Sequence, residues 1–183
     1  MKYLKYFENY NNEFSFFEKL GLNEIGTLEE YQKYISSIFP NSKYKNIFQH
    51  QTISIFDKFT KEGNGRLGRG FYFSKAGNNY LDDESYKIIY TILDIKNPKY
   101  IKGGEYMLKV YSLIDERNLN SDDSTIRNDI KNELEEEYRS EYDCLIGDSN
   151  GDLINEYKVF YPKQIHILGN LDDKSMFRSS LIN

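Results

Sequence analysis

Residues 87–96 read KIIYTILDIK, a β-branched and aliphatic run that stops at Asn97-Pro98, and this pattern predicts a central strand. Shorter strand-like segments flank it in sequence. Residues 46–51, a looser stretch 53–59 and the ring-rich 71–74 precede it, and 143–147, 155–161 and 164–168 follow. Helical signals lie among them. Thr27-Leu28-Glu29-Glu30 is a capping box, after which Leu28, Tyr31, Ile35 and Ile38 fall on one helical face until Pro40-Asn41. Residues 105–116 read as a helix. A further helix starts within 121–124 and carries Ile126, Ile130 and Leu134 to about Arg139. The acidic run 133–137 on that helix is most simply a solvated face. The first twenty-five residues show no clean period and read as a partly helical arm, and the tail from Asp172 is polar and expected to be loose. The pattern predicts an α+β fold, with helices clustered among short, largely antiparallel strands. The expected organisation is a helical arm over 1–40, one domain over 41–170 and a polar tail over 171–183.

Composition narrows the function classes. With Lys plus Arg at 24 and Asp plus Glu at 29, the net charge of −5 offers no basic excess for displacing counterions from nucleic acid. The 17 Tyr and 12 Phe can fill a core, provided that buried Tyr hydroxyls find partners. A single cysteine, Cys144, excludes an internal disulfide and a cysteine-based zinc site. Only His50 and His166 could contribute imidazoles, so no multi-histidine metal centre is expected. No apolar run approaches the ~20 residues of a membrane span. The opening MKYLKYFENYNNE reaches acids and amides too early for a signal peptide. A soluble, cytoplasmic protein is expected.

Several features stand apart from packing. His50-Gln51-Thr52 ends a strand; a lone histidine there is by itself more often a surface or core residue than a functional one. Glycines at 63, 65, 68 and 70 mark a loop with special backbone angles, close ligand approach or simple mobility. No Gly-Lys-Ser/Thr follows, so the loop is not a P-loop, and a strand rather than a helix follows, so it is not a dinucleotide fingerprint. If a ligand lies against this backbone, Arg66 and Arg69 would stand near its phosphates and Tyr72 would offer a ring face. Glu156, preceded by a Gly/Asp/Asn loop, reads either as a strand-edge charge or as a carboxylate facing a cleft. Residues 157–168, two strands joined at Pro162-Lys163, are expected to fix the strand that presents it.

Taken in order, these segments resemble the ADP-ribosyltransferase superfamily, above all the small transferase domains of phage polyvalent proteins and related bacterial proteins. Those domains show a His-Gly-Thr strand, a glycine-rich loop entering a Gly-Ile/Phe-Tyr-Phe-Ser/Thr strand, and a strand ending Asn-Pro. A Tyr-Asp-Gly-like strand and a Glu-Tyr-Val-Val-Phe-x-Pro-x-Gln-Ile ending complete the set. This chain has His50-Gln51-Thr52, Gly70-Phe71-Tyr72-Phe73-Ser74, Ile95-Lys96-Asn97-Pro98, Tyr142-Asp143-Cys144-Leu145-Ile146 and Glu156-Tyr157-Lys158-Val159-Phe160-Tyr161-Pro162-Lys163-Gln164-Ile165. The likeness covers about residues 39–168. It implies a split β-sandwich of two small, mostly antiparallel sheets around an NAD-binding cleft, with peripheral helices.

The resemblance also implies the His-Tyr-Glu constellation of diphtheria-toxin-like and PARP-like enzymes, with NAD+ as co-substrate and no metal. His50 would bond a ribose hydroxyl with Thr52 supporting the strand end, and the backbone at Gly70 would run beside the nicotinamide amide. Tyr72 would stack on the nicotinamide, with Tyr80, or else Tyr86, covering its other side. Glu156 would bind the ribose 2′-hydroxyl. Gln51, Arg69, Phe71 and Ser74 complete the expected NAD-binding set. Two departures stand out: Gln51 replaces the usual glycine, and Ile154 stands two before the glutamate where many toxin-type members carry Glu or Gln. The second makes arginine a less favoured acceptor.

The implied chemistry suits these residue types. Breaking the nicotinamide–ribose bond builds positive charge on the anomeric carbon and ring oxygen, which a fixed carboxylate stabilises. Stacked rings would orient the nicotinamide and exclude water. The expected activity is mono-ADP-ribosylation of a macromolecule, foremost a protein, with a phage or bacterial effector role by analogy. An NAD+ glycohydrolase and a non-catalytic binding module of the same fold are the alternatives. A nucleic-acid acceptor gains nothing from the charge.

Overall fold

The computed structural model describes residues 13–65, 67–77, 85–102, 104–149 and 152–182, with residues 13–15, 64, 148–149 and 152–154 described by backbone alone. In chain order come helices α1 (Glu13–Lys19) and α2 (Leu28–Ile38), then strands β1 (Phe48–Thr52), β2 (Gly63–Gly65), β3 (Gly68–Lys75), β4 (Lys87–Leu93) and β5 (Pro98–Ile101). Helices α3 (Glu105–Glu116) and α4 (Ser124–Glu141) follow, then β6 (Cys144–Ser149), β7 (Asp152–Val159), β8 (Ile165–Ile167) and helix α5 (Leu171–Ser180). The class is α+β. Two compact units divide the chain: Met1–Phe59, Ser74–Ile95 and Pro162–Asn183 form the first, and Thr60–Phe73 with Lys96–Tyr161 form the second.

In the first unit the run KIIYTIL forms β4, which pairs antiparallel with β1 from Phe48↔Thr91 to Thr52↔Lys87 and with β8 from Thr91↔Ile167 to Leu93↔Ile165. On its other edge β1 pairs with the last two residues of β3, Phe48↔Lys75 and Gln49↔Ser74. The expected central strand over 87–96 ends at Leu93, because Ser42 diverts the chain. Its hydroxyl donates to Leu93 O at 2.7 Å and accepts from Ile95 N at 3.0 Å, which takes those backbone groups out of the ladder. Alternation along β4 sends Tyr90 and Ile92 to one face, where Phe16, Phe17, Tyr31, Ile35 and Phe177 from α1, α2 and α5 cover them. The capping box at Thr27 forms as read: Thr27 N donates to Glu30 Oε2 at 2.7 Å and Glu30 N to Thr27 Oγ1 at 3.3 Å.

The expectation of a loose tail from Asp172 is corrected. Asn170 caps α5 by accepting from Asp173 N at 2.8 Å, and Phe177 is fully buried. The tail looks polar because its buried anchors are one ring, Phe177, and one carboxylate, Asp173.

In the second unit β7 lies between β6 and β3, antiparallel to both. Cys144↔Val159 through Gly147↔Glu156 joins it to β6, and Phe71↔Val159 through Phe73↔Tyr157 joins it to β3. The β5 strand runs parallel to β6 and begins at Pro98, where the sequence reading placed only a stop. Proline is tolerated as a first strand residue because no ladder donor is needed there. Asp143 secures this entry by accepting from Lys96 N at 2.7 Å and Asn97 N at 2.9 Å, so the Asn-Pro and Tyr-Asp motifs are bonded to each other. Tyr106, Val110 and Ile114 of α3 and Ile130, Leu134 and Tyr138 of α4 pack over Ile101 and Leu145. The glycine-dense stretch is not a free loop: β2 and β3 form a tight hairpin, Gly63↔Gly70 to Gly65↔Gly68. Among the described residues no helix is long and apolar enough to cross a membrane.

Candidate active site

Among the described residues, His50, Gln51, Thr52 and Ser74 of the expected set, with the alternative Tyr86, belong to the first unit. His50 lies mid-strand in β1, opposite Ile89, on the sheet face away from Tyr90 and Ile92. Its ring is half-buried and meets Phe59 edge-on at 5.1 Å and Phe56 at 5.9 Å. Gln51 and Thr52 are opposite Ile88 and Lys87, and Thr52 Oγ1 accepts from Ser54 N at 3.4 Å, a turn that supports the strand end. Ser74 is buried opposite Gln49. Tyr86, half-buried, directly precedes β4. Tyr80 and Arg66 lie outside the described residues, as does the side chain of Ile154.

The second unit holds Arg69, Gly70, Phe71 and Tyr72 on β3 and Glu156 on β7. Phe71 is buried opposite Val159, on the face opposite to Tyr72. Tyr72 stands directly across from Lys158, and Glu156 is two residues before Lys158, so strand alternation puts all three on one face. Both Tyr72 and Glu156 are half-buried. Burial first, then the negative charges of Glu156 and Glu135, hold the Tyr72 phenol protonated well past the usual tyrosine range. The phenol and the Glu156 carboxylate therefore feel each other, and the ring is neutral at physiological pH.

The hairpin glycines have neighbours within the unit. A Cβ on Gly65 would collide with the Tyr72 ring, whose hydroxyl donates to Gly68 O. Gly68 has a φ of +86°, and a Cβ there would stand 2.5 Å from Tyr106 Oη and 2.6 Å from Glu135 Oε2. At Gly70 the stem of Lys158 fills the space, with Cε 2.6 Å from where a Cβ would be. One face of the Tyr72 ring is thus seated on the hairpin. Arg69 is exposed and its guanidinium is 3.6 Å from Glu62.

Lys158 was missed in the sequence reading and Glu135 misplaced. The acidic run on α4 is not wholly solvated: Glu135 is buried and meets Lys158 Nζ at 2.7 Å, while Lys158 is itself fully buried. A signal existed for each. Glu135 adjoins Leu134 and precedes Tyr138 by three, inside the buried stripe, and Lys158 interrupts an otherwise apolar Tyr-x-Val-Phe run. Among the described residues no group of three or more His, Cys, Asp or Glu is placed to hold a metal ion.

No protein-family model, curated protein or solved structure matches the chain.

Proposed function

We propose that the protein is an NAD+-dependent mono-ADP-ribosyltransferase that cleaves the nicotinamide–ribose bond and passes ADP-ribose to a macromolecular acceptor, foremost a protein. The observation that carries this reading is that Tyr72 and Glu156 share one face of adjacent antiparallel strands, with Glu156 two residues from the Lys158 that pairs with Tyr72, and that the carboxylate acts to raise the phenol's pKa. A neutral ring beside a half-exposed carboxylate is what a nicotinamide riboside needs: a flat apolar platform next to a fixed negative charge. The ordered motif resemblance from His50 to Ile165 supports it independently.

In this reading Tyr72 stacks on the nicotinamide. The Gly68 carbonyl holds its hydroxyl, and Gly65 leaves room beneath the ring, so the platform is fixed before substrate arrives. Glu156 grips the ribose 2′-hydroxyl and stabilises the charge that grows on the anomeric carbon as nicotinamide departs. For His50, in the first unit, the motif resemblance alone implies a ribose hydroxyl as partner; its imidazole meets the rings of Phe56 and Phe59.

The test is nicotinamide release from NAD+ by the purified chain, together with transfer of biotin-labelled NAD+ into a bacterial lysate. Wild type is expected to do both, and Glu156→Gln to retain NAD+ binding while losing about 10²–10³ in turnover. Release without labelling would replace the transferase by an NAD+ glycohydrolase. Binding without either would leave a non-catalytic module, and undiminished turnover in Glu156→Gln would remove the carboxylate from its role.

A further inference from the structure

A fully buried lysine opposite the proposed nicotinamide platform is an expensive feature, and its contacts show what it holds. Lys158 Nζ donates to Leu67 O at 2.7 Å and to Glu135 Oε2 at 2.7 Å, and stands 4.9 Å from the Phe160 ring centroid. The same Glu135 Oε2 accepts from Arg69 N at 3.0 Å. Glu135 Oε1 accepts from Arg139 Nε at 3.1 Å and Nη2 at 3.0 Å, and Arg139 Nη2 also donates to Glu62 Oε1 at 2.7 Å. Glu62, Leu67 and Arg69 all belong to the β2–β3 hairpin or its approach, whereas Glu135, Arg139 and Lys158 belong to α4 and β7.

Few side chains are available to hold that hairpin by packing. Its ladder pairs are Gly63↔Gly70, Asn64↔Arg69 and Gly65↔Gly68, so its strands carry mostly glycine. Glycine loses the most freedom on ordering and offers no side chain to pack. Leu67 supplies a buried anchor at the turn, the Tyr72 hydroxyl donates to Gly68 O, and the other named attachments run to the charged groups beneath. Burying an ion pair is a poor way to gain stability alone, but a pair whose every oxygen is used can fix one geometry.

We propose that Lys158 and Glu135 are positioning residues that lock the glycine-rich β2–β3 hairpin onto α4 and β7 and, through Gly65 and the Gly68 carbonyl, set the place of the Tyr72 ring. The locking is independent of any enzymatic reading; its consequence for NAD+ rests on the function proposed above. Burial pushes the Lys158 ammonium down to about 8 despite Glu135, so its charge is held there against a desolvation cost. The charged or titratable groups that act on the pair are Arg139 from α4, Glu62 from the hairpin approach, Tyr106 from α3 and Cys144 from β6, with Tyr72 on the same hairpin strand.

Backbone hydrogen exchange of the full chain tests this without reference to NAD+. In Lys158→Met, amides of residues 62–70 are expected to exchange about ten-fold faster or more, while amides of residues 88–93 stay within about two-fold of wild type. The double variant Lys158→Met with Glu135→Gln leaves no unpaired buried charge between the two and should show the same localised change. Wild-type exchange at the hairpin in either variant overturns the proposal. So does an equal acceleration at both segments, or loss of the fold in both variants, since the pair would then support the whole unit rather than the hairpin. Where wild type releases nicotinamide, Lys158→Met should raise the half-saturating NAD+ concentration about five-fold or more and leave saturated turnover within about two-fold. A fall in saturated turnover alone would overturn the link to Tyr72. An inactive wild type would overturn the enzymatic reading and leave the exchange result to decide the locking.

Discussion

Tyr31 donates its hydroxyl to the carboxylate of Asp173 at 2.7 Å, joining α2 to α5 across 142 residues of chain. The same carboxylate accepts from Tyr34 Oη at 3.0 Å and Gly169 N at 2.7 Å, and lies 2.7 Å from His166 Nε2, while being wholly buried. Asp173→Ala would leave the Tyr31 phenol without its acceptor in the core, take from Tyr34 its nearer acceptor while Asp173 O remains at 3.4 Å, and strip the half-buried Gly169 N–H of its partner. Each stranded donor costs ~1–3 kcal/mol, so the substitution should lower stability by several kcal/mol. Tyr31→Phe removes one donor from an acceptor that keeps others, and should cost only about 1 kcal/mol. Urea unfolding of the two variants checks the ratio. Equal losses would mean that Asp173 is not the hub of this cluster.

The space beneath Tyr72 gives a second, geometric prediction. A methyl at Gly65 has no room against the ring, so Gly65→Ala must move the ring or the hairpin, at ~1–3 kcal/mol for overpacking. The matched control is Gly63→Ala, whose Cβ would meet only the Gly70 carbonyl at 3.7 Å, an ordinary contact. Thermal unfolding should show a lower Tm for Gly65→Ala and little change for Gly63→Ala. If the ring is the NAD+ platform, calorimetric affinity for NAD+ should weaken in the first and persist in the second. Identical behaviour of the pair would show that the ring is not seated on residue 65.

Much of this was legible in the chain because local rules and tertiary packing agreed. The capping box at Thr27, the stripe of Tyr106, Val110 and Ile114, and the run of Ile88 to Leu93 each announce their element by spacing alone. Three of the misreadings share one cause: a polar residue made to serve a buried role by a distant partner. Ser42 ends β4 from fifty-one residues away, Asp173 turns a polar tail into a packed helix, and Glu135 leaves an acidic face to meet Lys158. None of these partnerships has a periodicity. At the site, the face shared by Tyr72 and Glu156 follows from strand alternation once the register is known, whereas the seating of Tyr72 on glycine depends on a hairpin that the glycines disguised as a loop.

The buried Lys158 also predicts how stability responds to pH. Its ammonium is lowered to about 8 in the folded chain, against ~10.4 when unfolded. Between those values the unfolded state holds more protons than the folded one, so stability rises with pH across that window through this group. The contribution is fully present above the unfolded value and is lost as pH falls through about 8. Other groups pull the opposite way. Burial raises the thiol of Cys144 and the phenols of Tyr72 and Tyr106, so these lose protons first in the unfolded chain as pH climbs. The two phenols, on which Lys158 is not among the acting charges, are common to wild type and Lys158→Met and cancel in the comparison, whereas the thiol, which Lys158 pulls down against its burial, rises further in the variant. The stability of wild type minus that of Lys158→Met should therefore increase by about 1–3 kcal/mol from pH 7 to pH 10, measured by urea unfolding at each pH. A difference that stays flat, or that shrinks with pH as for a lysine whose charge the fold favours, would mean that the ammonium gains more from Glu135 than it loses on leaving water.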